Sequence, residues 1–187
     1  RAFLNQITRV NCNGATCGSP EFIDLEPLPP IHPEPGMALA TPFAIQISED
    51  DSTLVLSAAG SDKLFTVDAV SGAVLGRVQV GAVPRGIALE SDEDGQPARG
   101  WVFNAVANTV SVVDLSDATQ PRVVTTILLV DPTPPSVKRG RIAFNDADVS
   151  TTGTFSCDSC HPDGHTDQLL WVLDTPVCDI PGCTQIP

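Results

Sequence analysis

The sequence predicts a mainly β protein of short strands, followed by a small helical segment towards its C-terminal end. Its 187 residues include 17 prolines and 14 glycines, which interrupt long helices and favour turns. Between residues 41 and 132, short apolar runs alternate with polar residues, a pattern typical of half-buried strands. After a proline cluster at 132–135 this pattern stops and a cysteine–histidine motif follows. The hydrophobic content of 42% is sufficient for a packed core.

Residues 1–40 form the first predicted unit, an irregular N-terminal arm. They show no clear periodicity and contain the proline-dense run LEPLPPIHPEPG. Proline fixes the backbone and removes a hydrogen-bond donor, so this run should be extended. We expect the arm to pack along a larger body.

Residues 41–132 contain two similar units of four short strands. Their strands read AIQI, TLVLSA and KLFTVD in the first unit and GIAL, GWVFNA and TVSVVD in the second, each set followed by a fourth strand. Pro84 lies 42 residues after Pro42, whereas Asp114 lies 46 residues after Asp68. We assign the four extra residues to the acidic turn of the second unit. A repeat of about 40–45 residues with four strands is the signature of a β-propeller blade.

Alternation within the third strand of the first unit supports this assignment. Leu64, Thr66 and Asp68 are expected to face one way, and Phe65 and Val67 the other.

The two units resemble the YVTN family of β-propellers. The resemblance covers about 41–130 and includes the strand NTVSVVD at 108–114 and the turn DAVSG at 68–72. It implies a partial propeller, because a closed ring needs about 4–8 blades. Either this chain is a piece of a longer protein or other subunits supply the remaining blades. A small standalone sandwich of the same eight strands is the alternative.

Cys157, Cys160 and His161 form a C-x-x-C-H motif, the attachment signature of haem c. Residues three and four apart share one face of a helical turn. Both thiols can therefore reach the porphyrin edge, while His161 offers a ring nitrogen to the iron as the metal ligand. Pro162 predicts that the helical turn ends at His161. The sequence thus predicts one covalently bound haem c.

Two other uses of the motif stay open at this point. A structural zinc site would need two further ligands, and Cys178 and Cys183 are available. A disulfide or a thioredoxin-like redox pair is the other possibility, although the βαβ context of such a pair is not visible.

The segment 133–187 resembles the haem domains of the di-haem cytochrome c peroxidase and MauG family. The resemblance covers about 137–173 and is carried by GRIAFNDA, GTFSCDSCHPDGHTD and LLW. Propellers of the YVTN type also occur fused to such domains. The family's second C-x-x-C-H motif is missing from these residues, so peroxidase activity cannot be assigned to them alone.

Five further residues are candidates for contacts with the haem. Arg141 could pair with a propionate, and Trp171 could pack on the porphyrin and exclude water; simple solvation and core packing are the alternatives. The sixth iron ligand could be His32, Met37, His165 or none.

The charge balance restricts the partners of this chain. It has 10 basic and 23 acidic residues, for a formal net charge of −13. Such a surface repels nucleic acid and suits a basic protein partner, or only keeps the chain in solution. Every apolar run is much shorter than the length of about 18 residues that is needed to span a bilayer.

The four remaining cysteines indicate an oxidising compartment. Cys12 and Cys17 have the same spacing as Cys178 and Cys183, which predicts two local disulfides, although four cysteines permit three pairings. Disulfides and covalent haem both suit the bacterial periplasm or the cell exterior. The chain begins at Arg1 without a start Met, as expected of a processed or partial product.

These observations predict a c-type cytochrome that transfers electrons through the iron bound by His161. Its expected partners are other redox proteins, or subunits that complete the propeller and the haem domain. The first alternative is a di-haem oxidoreductase of the MauG and peroxidase type, with its second haem outside this chain. The second is a propeller scaffold without redox activity.

Overall fold

The computed structural model describes residues 4–166 and 168. Within them no helix is both long enough and apolar enough to cross a membrane. The strands are β1 (Gln6–Arg9), β2 (Cys12–Asn13), β3 (Thr16–Cys17), β4 (Glu21–Asp24), β5 (Pro42–Ile47), β6 (Thr53–Ala58), β7 (Lys63–Asp68), β8 (Val74–Gln79), β9 (Pro84–Ser91), β10 (Pro97–Asn104), β11 (Thr109–Asp114) and β12 (Arg122–Leu128). The helices are α1 (Pro135–Asn145) and α2 (Cys157–Cys160), with 3₁₀ turns at Ala147–Val149 and Pro162–Gly164.

Two four-stranded sheets make up most of the described chain. One has the order β5-β6-β7-β8 and the other β9-β10-β11-β12, and all neighbours are antiparallel. Pro42 and Pro84 each open an edge strand, where proline's missing N–H interrupts no central ladder. The mainly β prediction is confirmed, and each meander fits one propeller blade.

A buried apolar layer joins the two sheets. Val55 and Leu64 of the first sheet belong to one core cluster with Val102, Val113 and Leu115 of the second. All five side chains are at most 1% exposed, and β5 and β6 both contact β9. The two sheets therefore pack face to face.

The opposite face of the first sheet is covered by the N-terminal arm. Phe65 and Val67 are fully buried there against Leu25 and Leu39. Leu64 lies in the layer between the sheets instead, so the predicted alternation along β7 is confirmed. The arm therefore covers the face of the first sheet that is turned away from the second sheet.

The sequence predicts an irregular arm, but the arm contains four short strands. β1 pairs with β4, and β2 pairs with β3 in a hairpin that the Cys12–Cys17 disulfide closes. These strands are two or four residues long, too short for a periodic pattern to reveal them. The predicted Cys12–Cys17 disulfide is confirmed, whereas Cys178 and Cys183 lie outside the described residues.

The four extra residues of the second repeat do not lengthen its acidic turn. The turns at 48–52 and 92–96 are equally long, whereas β9 and β10 have eight residues each and β5 and β6 have six. Because side chains alternate with a period of two, adding two residues to each strand preserves which residues face the core. The assignment of the extra residues to the turn was therefore wrong.

Truncation of Phe65, the largest fully buried side chain of the described core, should destabilise the fold. Phe65→Ala should destabilise the protein by about 3–5 kcal/mol, because it removes a fully buried aromatic group and leaves a cavity. Urea unfolding monitored by circular dichroism measures this loss. The control is Phe22→Ala, since Phe22 is 58% exposed and its truncation should change the unfolding midpoint little. Equal losses in the two variants would contradict this description of the core.

Candidate haem attachment site

The segment after the second sheet lies across the loops of both sheets. α1 starts at Pro135, a position where proline's missing N–H has no cost. Its Ile142 packs against a buried cluster that includes Ala59 and Val106, from loops of the first and second sheets. The amide of Ala147 then donates to the carbonyl of Gly60 at 2.7 Å. The two sheets thus provide a common platform for the segment.

A buried polar network ties the same segment to the arm. The Nδ2 of Asn5 donates to Glu26 Oε2 and to the carbonyl of Thr154, both at 3.1 Å. The amide of Leu39 donates to Glu26 Oε1 at 2.9 Å, and that of Thr41 to Asn5 Oδ1 at 3.1 Å. The chain is therefore fixed three residues before the first cysteine of the motif.

The motif itself forms a single helical turn. The amide of Ser156 donates to Ser159 Oγ at 3.1 Å at the start of α2, and that of His161 donates to the carbonyl of Cys157 at 3.0 Å at its end. α2 ends at Cys160, as Pro162 predicts. Cys157 and Cys160 are not joined to each other by a disulfide. Cys157 is exposed and Cys160 half-buried.

A tight chain reversal behind the motif orients His161. Asp163 and Gly164 both adopt left-handed conformations, with φ of 52° and 79°. This reversal brings the carbonyl of His165 to 2.9 Å from His161 Nδ1. Because a carbonyl can only accept, Nδ1 is the donor in this contact, and Nε2 is left as the ring nitrogen that can bind a metal. The His161 ring itself is exposed.

One residue of this region, Arg85 at the start of β9, was not predicted from the sequence. Its Nη1 lies 3.0 Å from Asp163 Oδ1, and its Nη2 lies 3.9 Å from Asp158 Oδ2. Its Nε is buried and has no hydrogen-bond partner among the described residues. In the sequence, a charged residue near the end of a strand looks like an ordinary solvent-facing residue. Only its alignment with Phe43 in the repeat could have indicated a role for it.

A cavity of about 580 Å³ adjoins the segment, within the range of small-molecule sites. The side chains of Cys157, Cys160 and His161 are not among its lining residues, but the predicted Arg141 is. Its apolar walls come from α1 and the second sheet and include Val137, Phe144 and Val106. Its charged walls include Asp158 and Asp163 near the motif and Arg85 of β9.

The donor set of the motif fits a covalently attached haem. The thiols of Cys157 and Cys160 are three residues apart on one helical turn, and His161 has a ring nitrogen available. Covalent attachment needs thiols at the ring edge and one imidazole at the iron, not three ligands around one ion. Within residues 4–166 and 168, no three His, Cys, Asp or Glu side chains converge as a metal ion bound by protein alone requires.

The remaining predicted haem contacts stay predictions. His32 lies exposed in the arm, and Met37 is 46% exposed, with its carbonyl accepting a hydrogen bond from Arg77. His165 is exposed and contributes its carbonyl to the His161 contact. Trp171 lies outside the described residues.

Comparisons with known proteins give partial likenesses. No protein-family model and no curated protein matches the chain. Among solved structures, it is similar to Kuenenia stuttgartiensis hydrazine synthase, with 35% identity over 49% of this chain and 24% of that one, and a TM-score of 0.41. Pseudomonas aeruginosa periplasmic gluconolactonase PpgL matches with 21% identity over 69% and 35%, and a TM-score of 0.46.

A third similar structure is dihydro-haem d1 dehydrogenase NirN in complex with DHE. It shares 18% identity over 49% of this chain and 18% of its own, with a TM-score of 0.39. The chain thus spans between 18% and 35% of the length of these three structures.

An ion pair at the start of the segment predicts a pH effect. Lys138 Nζ lies 2.8 Å from Asp131 Oδ2 and donates to the carbonyl of Ala107 at 2.7 Å. The Lys138 hydrogen bond is the main cause that lowers the pKa of Asp131 to about 2. The pair therefore stabilises the folded chain above the ordinary aspartate pKa of 3.8 and loses this effect as the pH falls through about 2.

Lys138→Met should raise the pKa of Asp131 towards 3.8, because it removes the hydrogen bond and the charge. Carboxyl-carbon NMR titration of Asp131 measures this shift. Arg139→Met removes an equal charge from the next residue and should leave the Asp131 pKa unchanged. An Asp131 pKa that stays near its wild-type value in Lys138→Met would show that the pair does not form in solution.

Proposed function

We propose that this chain acts as a c-type cytochrome, carrying one haem c on Cys157 and Cys160 with His161 as an iron ligand. The observation that supports this most directly is the His161 Nδ1 contact with the His165 carbonyl. It leaves Nε2 as the ring nitrogen for the metal. When bound, the haem supplies one-electron redox chemistry at its iron.

The chain's own residues have distinct roles in this proposal. α2 presents Cys157 and Cys160 on one face of a helical turn, so that both sulfurs hold the same porphyrin. The His165 carbonyl fixes the tautomer and the ring orientation of His161 and raises its basicity as a ligand. We assign Arg141 to a propionate and Trp171 to the exclusion of water from the porphyrin face.

The exposure of the motif favours electron exchange with a partner over turnover of an enclosed substrate. Cys157 and His161 both lie at the surface of the described chain, where a partner can approach the haem. The net charge of −13 suits a basic redox protein. The Cys12–Cys17 disulfide supports an oxidising location, the bacterial periplasm or the cell exterior.

Further blades are the second class of partner in this proposal. Val102 faces the first sheet, so its neighbour Phe103 faces the other way, where it is 42% exposed. Ile127 lies in the same cross-strand row and is 48% exposed. An apolar sheet face of this kind is what a following blade would cover, whether from another subunit or from elsewhere in the protein.

The cysteine variants test the attachment of the haem. The wild-type chain, produced in a periplasm with haem-attachment machinery, should give a pyridine haemochrome spectrum and a mass larger than that of the polypeptide by one haem. Cys157→Ser combined with Cys160→Ser should lose both signals. Cys12→Ser is the matched control, because Cys12 lies in the arm disulfide, and it should retain the haem. A wild-type mass equal to that of the polypeptide would instead favour the non-redox scaffold.

The coordination of the iron separates an electron carrier from an enzyme. We expect a six-coordinate, low-spin iron in the ultraviolet–visible and electron paramagnetic resonance (EPR) spectra, since an occupied sixth position suits electron transfer. If His32 or Met37 supplies that ligand, His32→Ala or Met37→Ala should convert the iron to high spin. An open, high-spin iron in the wild type would favour the di-haem oxidoreductase of the MauG and peroxidase type.

A further inference from the structure

Arg85 occupies a repeat position that links the two blades. It follows Pro84 at the start of β9, as Phe43 follows Pro42 at the start of β5. Its guanidinium carbon lies 5.0 Å from the centre of the Phe43 ring, within the range of a cation–π contact. Equivalent positions of consecutive blades therefore meet, and the side chain of Arg85 is supported by both of them.

From this position the guanidinium contacts one aspartate inside the haem motif and one just after it. Its Nη1 contacts Asp163, two residues after His161, at 3.0 Å. Its Nη2 contacts Asp158, which lies between the two cysteines, at 3.9 Å. The amide of Asp163 also donates to Asp158 Oδ1 at 3.3 Å, so the two aspartates and the arginine close a small network across the motif.

The backbone of Asp163 connects this network to the imidazole. Asp163 is the first of the two left-handed residues that reverse the chain after Pro162. A non-glycine residue in this region is strained and depends on its surroundings. The reversal returns the His165 carbonyl to His161 Nδ1, so a change at Asp163 moves the acceptor that orients the ring.

We infer that Arg85 is a positioning residue for the axial histidine: from the second blade it holds Asp158 and Asp163 and thereby fixes the orientation of the His161 imidazole. This inference rests on the proposed function, because the imidazole orientation matters only if His161 binds iron. Arg85 itself need not contact the haem. The propeller then sets the geometry of the metal ligand instead of only carrying the haem segment.

Exchange of backbone amides in the motif loop tests the positioning without depending on haem content. Arg85→Gln, in the full chain as purified, should speed hydrogen exchange in 157–166 by about two- to tenfold, as expected from losing partly exposed ion pairs. Arg99→Gln is the matched control: Arg99 forms a similar ion pair with Glu90 at 3.8 Å and lies 6.0 Å from the Trp101 ring, all on the second sheet. It should leave exchange in this loop unchanged.

Asp163→Asn provides a second route to the same result. Its side chain is 74% exposed, so the variant should fold even if Arg85→Gln does not. It should speed exchange in the same loop, and the double variant should exchange little faster than Arg85→Gln alone, because both changes remove the Arg85–Asp163 ion pair. Additive effects of the two substitutions would mean that Arg85 does not act through Asp163.

The EPR spectrum of the haem protein separates positioning from general support of the interface. Arg85→Gln should keep the wild-type haem content but broaden or shift the EPR signal of the iron, which depends on the imidazole orientation, whereas Arg99→Gln should not. An EPR signal in Arg85→Lys that lies closer to the wild-type signal than that of Arg85→Gln would support a role of the ion pairs. An unchanged signal with intact haem would overturn the inference alone, whereas absence of haem in the wild type would overturn the proposed function.

Discussion

The apolar layer between the two sheets is the constraint on which the rest of the described structure depends. Val55 and Leu64 meet Val102 and Val113 there with almost no exposure to water, and burial of such side chains is the main favourable term in folding. This packing sets β5 beside β9. As a result, the loops at one end of both sheets form a single surface, and the segment with the cysteine motif is fixed to that surface.

Several independent contacts hold this segment, and they come from three parts of the chain. The first sheet contributes the Gly60 carbonyl, the second contributes Arg85 and the Ala107 carbonyl, and the arm contributes Asn5. Each contact alone is modest. Together they hold the segment at several points along its length, so its position depends on both sheets and the arm as well as on its local sequence.

The sequence predicted the features that depend on local pattern. Alternating side chains revealed β7 and its two faces, and the short spacing of Cys12 and Cys17 predicted their disulfide. It did not reveal the contacts that depend on tertiary structure. Asn5 has no periodic context, and an arginine at the start of a strand resembles any solvated cation. The place of the four extra residues was missed because a sequence alignment counts residues but does not show where a hairpin turns.

The bond from Asn5 to the Thr154 carbonyl joins residues 149 positions apart in the chain. Closing a loop of this length costs more conformational entropy than closing a local turn, so contacts of this kind slow folding. A change at Asn5 would therefore be felt just before the first cysteine of the motif, although the two positions are far apart in the chain.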